Sequence, residues 1–187
     1  RFVYLHAPFF SPALKAVAGV RKSLGVRNFF NIMGPLVNPT QPPYQLLGVY
    51  DLSMMRLFSY IYQESKKNFS IVHSIDGYDE ISLTGQFKVV SNRGEQLFVP
   101  GDLGLRRASQ AELSGGETPE DAARIFDYVL RCEATEAQMN AVLVNAAFGI
   151  RTIEQDKHID ECIDIAYESL YRKKALKTFN QYIELNS

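Results

Sequence analysis

The sequence predicts an α/β fold, a mixed β-sheet flanked by helices. Three observations carry this. Two short apolar runs, residues 44–50 and 69–75, are separated by a helical pattern, which is the spacing of a strand–helix–strand unit. A hairpin pattern follows from Gly85 to Pro100. From Thr118 onward the chain reads as successive helices, the first two marked by start signals. Strands alternating with helices, followed by helices alone, describe a sheet covered by helical layers.

Bulk properties narrow the function. At 187 residues the chain can bury a sizeable core, and a single α/β domain over 1–187 is expected. A hydrophobic share of 46% and a charged share of 22% are ordinary for a globular protein. The net charge of −1 argues against a nucleic-acid binder, which would need a broad basic field. No apolar run could span a bilayer, and no signal-peptide pattern opens the chain. Cys132 and Cys162 lie far apart without a metal spacing, and two unpaired thiols suit a reducing cytoplasm. Both read most simply as small, partly buried side chains. The chain opens on Arg1 and not on Met, which suggests a piece of a longer polypeptide.

Arg1 to Leu5 reads as a short strand, and His6 to Phe10 as the approach to a helix. Ser11 is a good N-cap, Pro12 suits the first helical position, and Gly25 suits the left-handed residue past the end. Between them Ala13, Leu14, Val17, Ala18, Val20 and Leu24 form one apolar stripe. Arg21 breaks it, projecting from the stripe's centre beside Leu14 and Val17. A guanidinium there needs an anionic partner. A bound carboxylate or phosphate would serve; so would an internal Asp or Glu, or the helix C-terminal carbonyls, and periodicity alone favours the internal partner. Pro8 reads as a bend at the helix entry. Gly34-Pro35, Asn38-Pro39 and Gln41-Pro42-Pro43 make a rigid connection.

Tyr44 to Tyr50 reads as a buried strand, and Asp51 to about Asn68 as a helix with Leu52, Met55, Leu57, Phe58, Ile61 and Tyr62 on its apolar face. Phe69 to Ile75 alternates as a strand and contains His73, read as a core or edge histidine. It runs into D-G-Y-D-E-I-S. Asp79 and Glu80 thus follow a turn at the end of a parallel strand, where ligands of open α/β sheets bind. Adjacent carboxylates on a loop can face one spot, and magnesium commonly takes one or two carboxylates plus phosphates and water. An acidic turn without function has the same pattern. In the hairpin, F-K-V-V and Q-L-F-V-P flank the turn S-N-R-G-E.

Arg106 and Arg107 read as a solvated pair within a loop from Gly101 to Gly116. The next helix is capped at Thr118 with Pro119 in its first position and runs to about Arg131. Thr135 to Gln138 is a capping box for a helix over Glu136–Arg151, whose A-V-L-V-N-A-A-F-G run should be deeply buried. Asp160–Tyr171 and Arg172–Leu185 give the last helices.

One long motif adds to this. V-R-K-x-L-G-x-R-x-x-F-N-x-x-G-P-L-x-N-P, from Val20 to Pro39, resembles the signature of the anthranilate phosphoribosyltransferase family, and Gly77–Ser82 matches its G-x-D-E-[IV]-S metal motif. The resemblance covers nearly all of this chain but only the C-terminal half or so of the family's enzyme. The family's helical start, its G-T-G-G-D phosphate loop and its K-H-G-N-R stretch do not occur here. It implies the α/β domain shared with nucleoside phosphorylases, a homodimer of the full-length enzyme, and a cytoplasmic location. The activity implied is transfer of a phosphoribosyl group from phosphoribosyl pyrophosphate to anthranilate, in tryptophan biosynthesis. Arg21 would bind anthranilate, with Pro8 lining its channel, and Asp79 and Glu80 would hold Mg2+. No side chain is implied as a nucleophile, and the isolated chain should be nearly inactive. Ser11 stands where the family usually has His. A pyrimidine nucleoside phosphorylase, a silent binding relative and a fragment without a site are the alternatives; V-R-K and G-x-D-E-I-S speak against the first.

Overall fold

The computed structural model describes residues 3–5, 7–12, 16, 19 and 34–186. The chain divides into two compact units, residues 1–43 and 44–187. In the first, α1 (Ala7–Phe10) is a single helical turn, and Gly34–Val37 form a 3-10 turn. Two expectations change here. Val3 to Leu5 are exposed and lie outside any strand, since an apolar run becomes a strand only where a partner takes up its N–H and C=O groups. Helical structure also begins at Ala7, within the segment expected to be an approach. The expected helix from Pro12 to Leu24, Arg21 included, lies almost wholly outside the described residues.

The second unit holds the sheet. Its strands are β1 (Tyr44–Gly48), β2 (Asn68–Ser74), β3 (Phe87–Ser91) and β4 (Gly94–Phe98), in spatial order β1-β2-β3-β4. β1 pairs parallel to β2, with Tyr44 opposite Asn68 and Gly48 opposite Val72, and the other two pairings are antiparallel. The sheet is therefore mixed, as the sequence predicts. The crossover between the parallel strands is α2 (Leu52–Gln63), started by Asp51, whose Oδ1 accepts from the Met54 N–H at 2.7 Å. α2 stops short of the expected Asn68. The Ser65 hydroxyl donates to the Tyr62 carbonyl at 2.7 Å and accepts from the Lys67 N–H at 3.3 Å, which turns the chain into β2.

The helices α3 (Pro119–Arg131), α4 (Glu136–Ile153), α5 (Ile159–Tyr171) and α6 (Lys174–Asn186) complete the unit. The capping box read at Thr135 and Gln138 is present, and the N-cap read at Thr118 proves to be a second box, closed by Asp121. Each exchanges a side-chain and a backbone bond across the first turn.

β2 is covered on both faces, and its side chains alternate between two cores. Phe69 faces α2, where Phe58, Tyr62 and Phe69 stack with centroids 6.1 and 5.5 Å apart. Val72 faces the larger core, with Phe87, Val89 and Phe98 of the hairpin and Leu143, Val144 and Phe148 of α4. Phe87, Phe98 and Phe148 form a closed trio with centroid separations of 5.2, 5.8 and 5.5 Å. Each such buried ring contributes about 1.5–3 kcal/mol relative to leaving it in water. Thr152, near the end of α4, donates to the Ser70 hydroxyl at 2.8 Å and so ties the helix to the start of β2. Among the described residues no helix is long and apolar enough to cross a membrane.

Candidate active site

The parallel pairing brings the C-terminal ends of β1 and β2 side by side, and the loop from Ile75 to Thr84 rises from that edge. Its first bend is tight. The Gly77 N–H donates to the Ser74 carbonyl at 2.9 Å, and the Ser74 N–H donates to the Tyr78 carbonyl at 3.0 Å. Gly77 takes φ +103°, a conformation glycine adopts without steric cost.

Asp79 and Glu80 sit at the loop's exposed crest. Among the described residues neither carboxylate accepts a hydrogen bond or pairs with a cation. Partial burial of the Glu80 side chain, and secondly the Asp79 carboxylate beside it, hold the Glu80 carboxyl above its ordinary range although the residue as a whole is exposed. Both causes penalise the charged form, and a cation beside the pair would relieve both.

The backbone under this pair is fixed from three directions. The Ser74 hydroxyl donates to the Glu80 carbonyl at 2.7 Å. Asn145, from the middle of α4, accepts from the Ile81 N–H at 3.0 Å and donates to the Ile81 carbonyl at 2.9 Å. Gly48, the last residue of β1, lies so close that a Cβ built there would stand 1.6 Å from the Asp79 carbonyl oxygen. Ser74 is itself held. Its hydroxyl accepts from the Ser82 N–H and Ser82 hydroxyl, both at 3.1 Å, and Ser82 meets Thr84 at 2.7 Å. Thr84 in turn donates to the Asp76 carboxylate, and its carbonyl accepts from Arg107. The loop leaves through Leu83, a buried leucine at φ +60° whose carbonyl accepts from the Ala108 N–H at 2.9 Å.

These groups suit magnesium. Asp79 and Glu80 offer hard oxygen donors on an open loop, with space for water and phosphate oxygens. Among the described residues no group of three or more His, Cys, Asp or Glu side chains could hold a metal alone. A pair that completes its shell from substrate fits that finding.

Asp79 and Glu80 are thus brought together. Arg21 lies outside the described residues, and Pro8 falls in α1 with only its backbone described. His73 is buried, with Nδ1 donating to the Val49 carbonyl at 2.8 Å, as its core reading expected. Arg106 and Arg107 are exposed, and Arg106 bridges Glu112 at 2.7 Å and Glu136 at 3.6 Å. Both cysteines are free; Cys162 is buried and Cys132 half-buried. Sequence reasoning missed Gly48, Ser74 and Asn145. A lone amide in an apolar helix and a glycine inside a strand pattern were the available signals.

A family model described as "Glycosyl transferase family, a/b domain" matches residues 1–176, and the chain belongs to that family. Within it, the chain is 60% identical over 183 residues to the anthranilate phosphoribosyltransferase of Bacteroides fragilis strain YCH46, covering 98% of this chain and 55% of that protein. It is 45% identical over 182 residues to that of Flavobacterium johnsoniae, covering 97% of this chain and 55% of that protein. The structure of the Thermus thermophilus anthranilate phosphoribosyltransferase superposes with a TM-score of 0.89 at 31% identity, covering 98% of this chain and 55% of that one. The Saccharomyces cerevisiae enzyme in complex with PRPP and Mg superposes with a TM-score of 0.88 at 25% identity, covering 98% and 52%. The chain spans about half the length of the curated relatives it matches.

Proposed function

We propose that this chain forms the α/β part of an anthranilate phosphoribosyltransferase, joining anthranilate to phosphoribosyl pyrophosphate in tryptophan biosynthesis. The observation that carries the proposal is the exposed Asp79–Glu80 pair, unpaired among the described residues, on a pinned loop at the C-terminal ends of two parallel strands. Support comes from the relatives' names and from a yeast relative seen with PRPP and Mg.

In this reading the amine of anthranilate attacks the anomeric carbon. A C–N bond forms, the C–O bond to pyrophosphate breaks, and the amine gives up a proton. The ring carries positive charge at the transition state, so catalysis rests on positioning and charge stabilisation. Asp79 and Glu80 would hold magnesium, which supplies neutralising charge on the departing pyrophosphate. Arg21 would grip the anthranilate carboxylate through its planar fork, and Pro8 would line the approach. A homodimeric full-length protein in the cytoplasm goes with this reading.

The test is calorimetric titration of anthranilate into the chain combined with the portion of the relatives' length it does not cover, comparing wild type with Arg21→Ala. Binding lost in a folded Arg21→Ala variant supports the reading. Equal binding makes Arg21 structural, and no binding to either protein sinks anthranilate as the acceptor. The chain by itself should form almost no product, and measurable turnover by it alone would refute that part.

A further inference from the structure

We infer that Asn145 and Ser74 are positioning residues for the metal-binding pair, acting through the single peptide that joins Glu80 to Ile81. The inference rests on the reading of Asp79 and Glu80 as magnesium ligands.

That peptide has one acceptor and one donor, and a different side chain holds each. Its carbonyl, on Glu80, accepts from the Ser74 hydroxyl at 2.7 Å. Its N–H, on Ile81, donates to Asn145 Oδ1 at 3.0 Å. The two grips come from different elements, the end of β2 and the middle of α4. Fixing both edges of a peptide fixes its plane, and with it the directions in which the neighbouring side chains leave the backbone.

Asn145 costs its helix something. An Asn in a helix interior is a weaker former than the Ala and Leu around it. Its amide does return one bond along the helix, to the Ala141 carbonyl at 2.9 Å. The two bonds to Ile81 are another matter, because they reproduce both halves of a strand pairing for a residue that belongs to no strand. Part of this is plain satisfaction of buried backbone, since Ile81 is 0% exposed. Ser74 holds the other edge of the peptide, its hydroxyl donating to the Glu80 carbonyl from the end of β2. Ser74 is 1% exposed and is oriented by Ser82, whose N–H and hydroxyl both donate to it. That relay ends on the carbonyl of Glu80. Groups that orient metal ligands from behind typically change metal affinity by about 10- to 100-fold when removed.

The experiment is Mn2+ titration of the chain in the presence of pyrophosphate, read from the electron paramagnetic resonance signal of free Mn2+. Wild type is compared with Asp79→Asn, Asn145→Ala, Ser74→Ala and Thr152→Val. The last removes a buried α4-to-β2 hydrogen bond at the far end of the same helix, so it reports what general loosening does. Asn145→Ala and Ser74→Ala should each weaken Mn2+ binding by about tenfold or more, while Thr152→Val binds like wild type. Folded Asn145→Ala and Ser74→Ala proteins that bind like wild type would overturn the inference, as would an equal loss in Thr152→Val. If Asn145→Ala does not fold, Ser74→Ala decides. Should Asp79→Asn bind Mn2+ unchanged, or wild type bind none, the metal reading of the acidic pair fails and this inference falls with it.

Discussion

The carbonyl oxygen of Asp79 occupies the place where a side chain on Gly48 would begin: a Cβ there would stand 1.6 Å from it and 2.7 Å from the carbonyl carbon. No Cβ tolerates that approach to backbone. The glycine at the end of β1 is therefore what lets the acidic loop fold down over the parallel strand pair. Gly48→Ala must push the Asp79 backbone away. Mn2+ affinity measured on the folded variant should fall by about tenfold or more, the scale of losing the support behind a metal ligand. An alanine variant with wild-type affinity would show that the loop's height above β1 is irrelevant to the pair.

Glu80 sets a pH dependence with a definite sign. Its folded-state pKa lies above the ordinary 4.5, through partial burial first and the Asp79 charge second. The folded protein therefore holds this proton longer than the unfolded chain. The stability it contributes is fully present below pH 4.5 and is lost as pH rises through the raised value. Thermal midpoints of wild type and Glu80→Gln, compared from about pH 4 upward without metal, should diverge in favour of the glutamine variant. Parallel curves would remove the burial of Glu80 from the account. Adding Mg2+ should stabilise wild type most at the high-pH end, where the carboxylate is free of its proton.

Glu112 shifts the other way. The Arg106 side chain, the Ser109 N–H and the Ser109 hydroxyl bring its pKa down to about 2. Its contribution to stability is present above pH 4.5 and fades as pH falls through about 2. Carboxyl carbon titration by NMR should find Glu112 ionised well below its ordinary range. Arg106→Ala should return it part of the way, the Ser109 bonds holding the rest, and because the pair is exposed, high salt should weaken the Arg106 share.

Phe148 is where α4 meets the hairpin, closing the trio with Phe87 and Phe98. Phe148→Ala should destabilise the fold by about 3–5 kcal/mol, the range for emptying a large aromatic site in a core. Urea unfolding would measure it. A loss under about 1 kcal/mol would mean that the core collapses into the space.

Elements with local signals were legible in the sequence, and those built from distant parts were not. Thr135 announces its helix because a capping box is a four-residue pattern, and Thr118 because an N-cap followed by proline is as local a signal. The hairpin is legible because Asn92 and Arg93 separate two matching strands. Asp79 and Glu80 stand out because the acidic pair follows a strand and a turn, though the metal role came from family resemblance. Asn145 was hidden inside a run read only for its hydrophobicity, and its partner Ile81 lies 64 residues away. The strand expected at Arg1–Leu5 fails at Val3–Leu5 because pattern cannot say whether a neighbour will pair with an extended run. α2 ends early because one serine hydroxyl competes with the helix for a carbonyl.

The Asn145–Ile81 clamp also orders events in time. Ser74 and Glu80 are six residues apart and can meet while β2 is still forming, whereas Asn145 arrives only once α4 has docked. Contacts of long sequence separation carry the larger loop-closure cost and form late. A folding intermediate with its hairpin complete but its helical layer loose would present an acidic loop with no fixed shape. Such a species should bind divalent cations poorly. By mass action, cations would then favour the fully docked state over everything that precedes it.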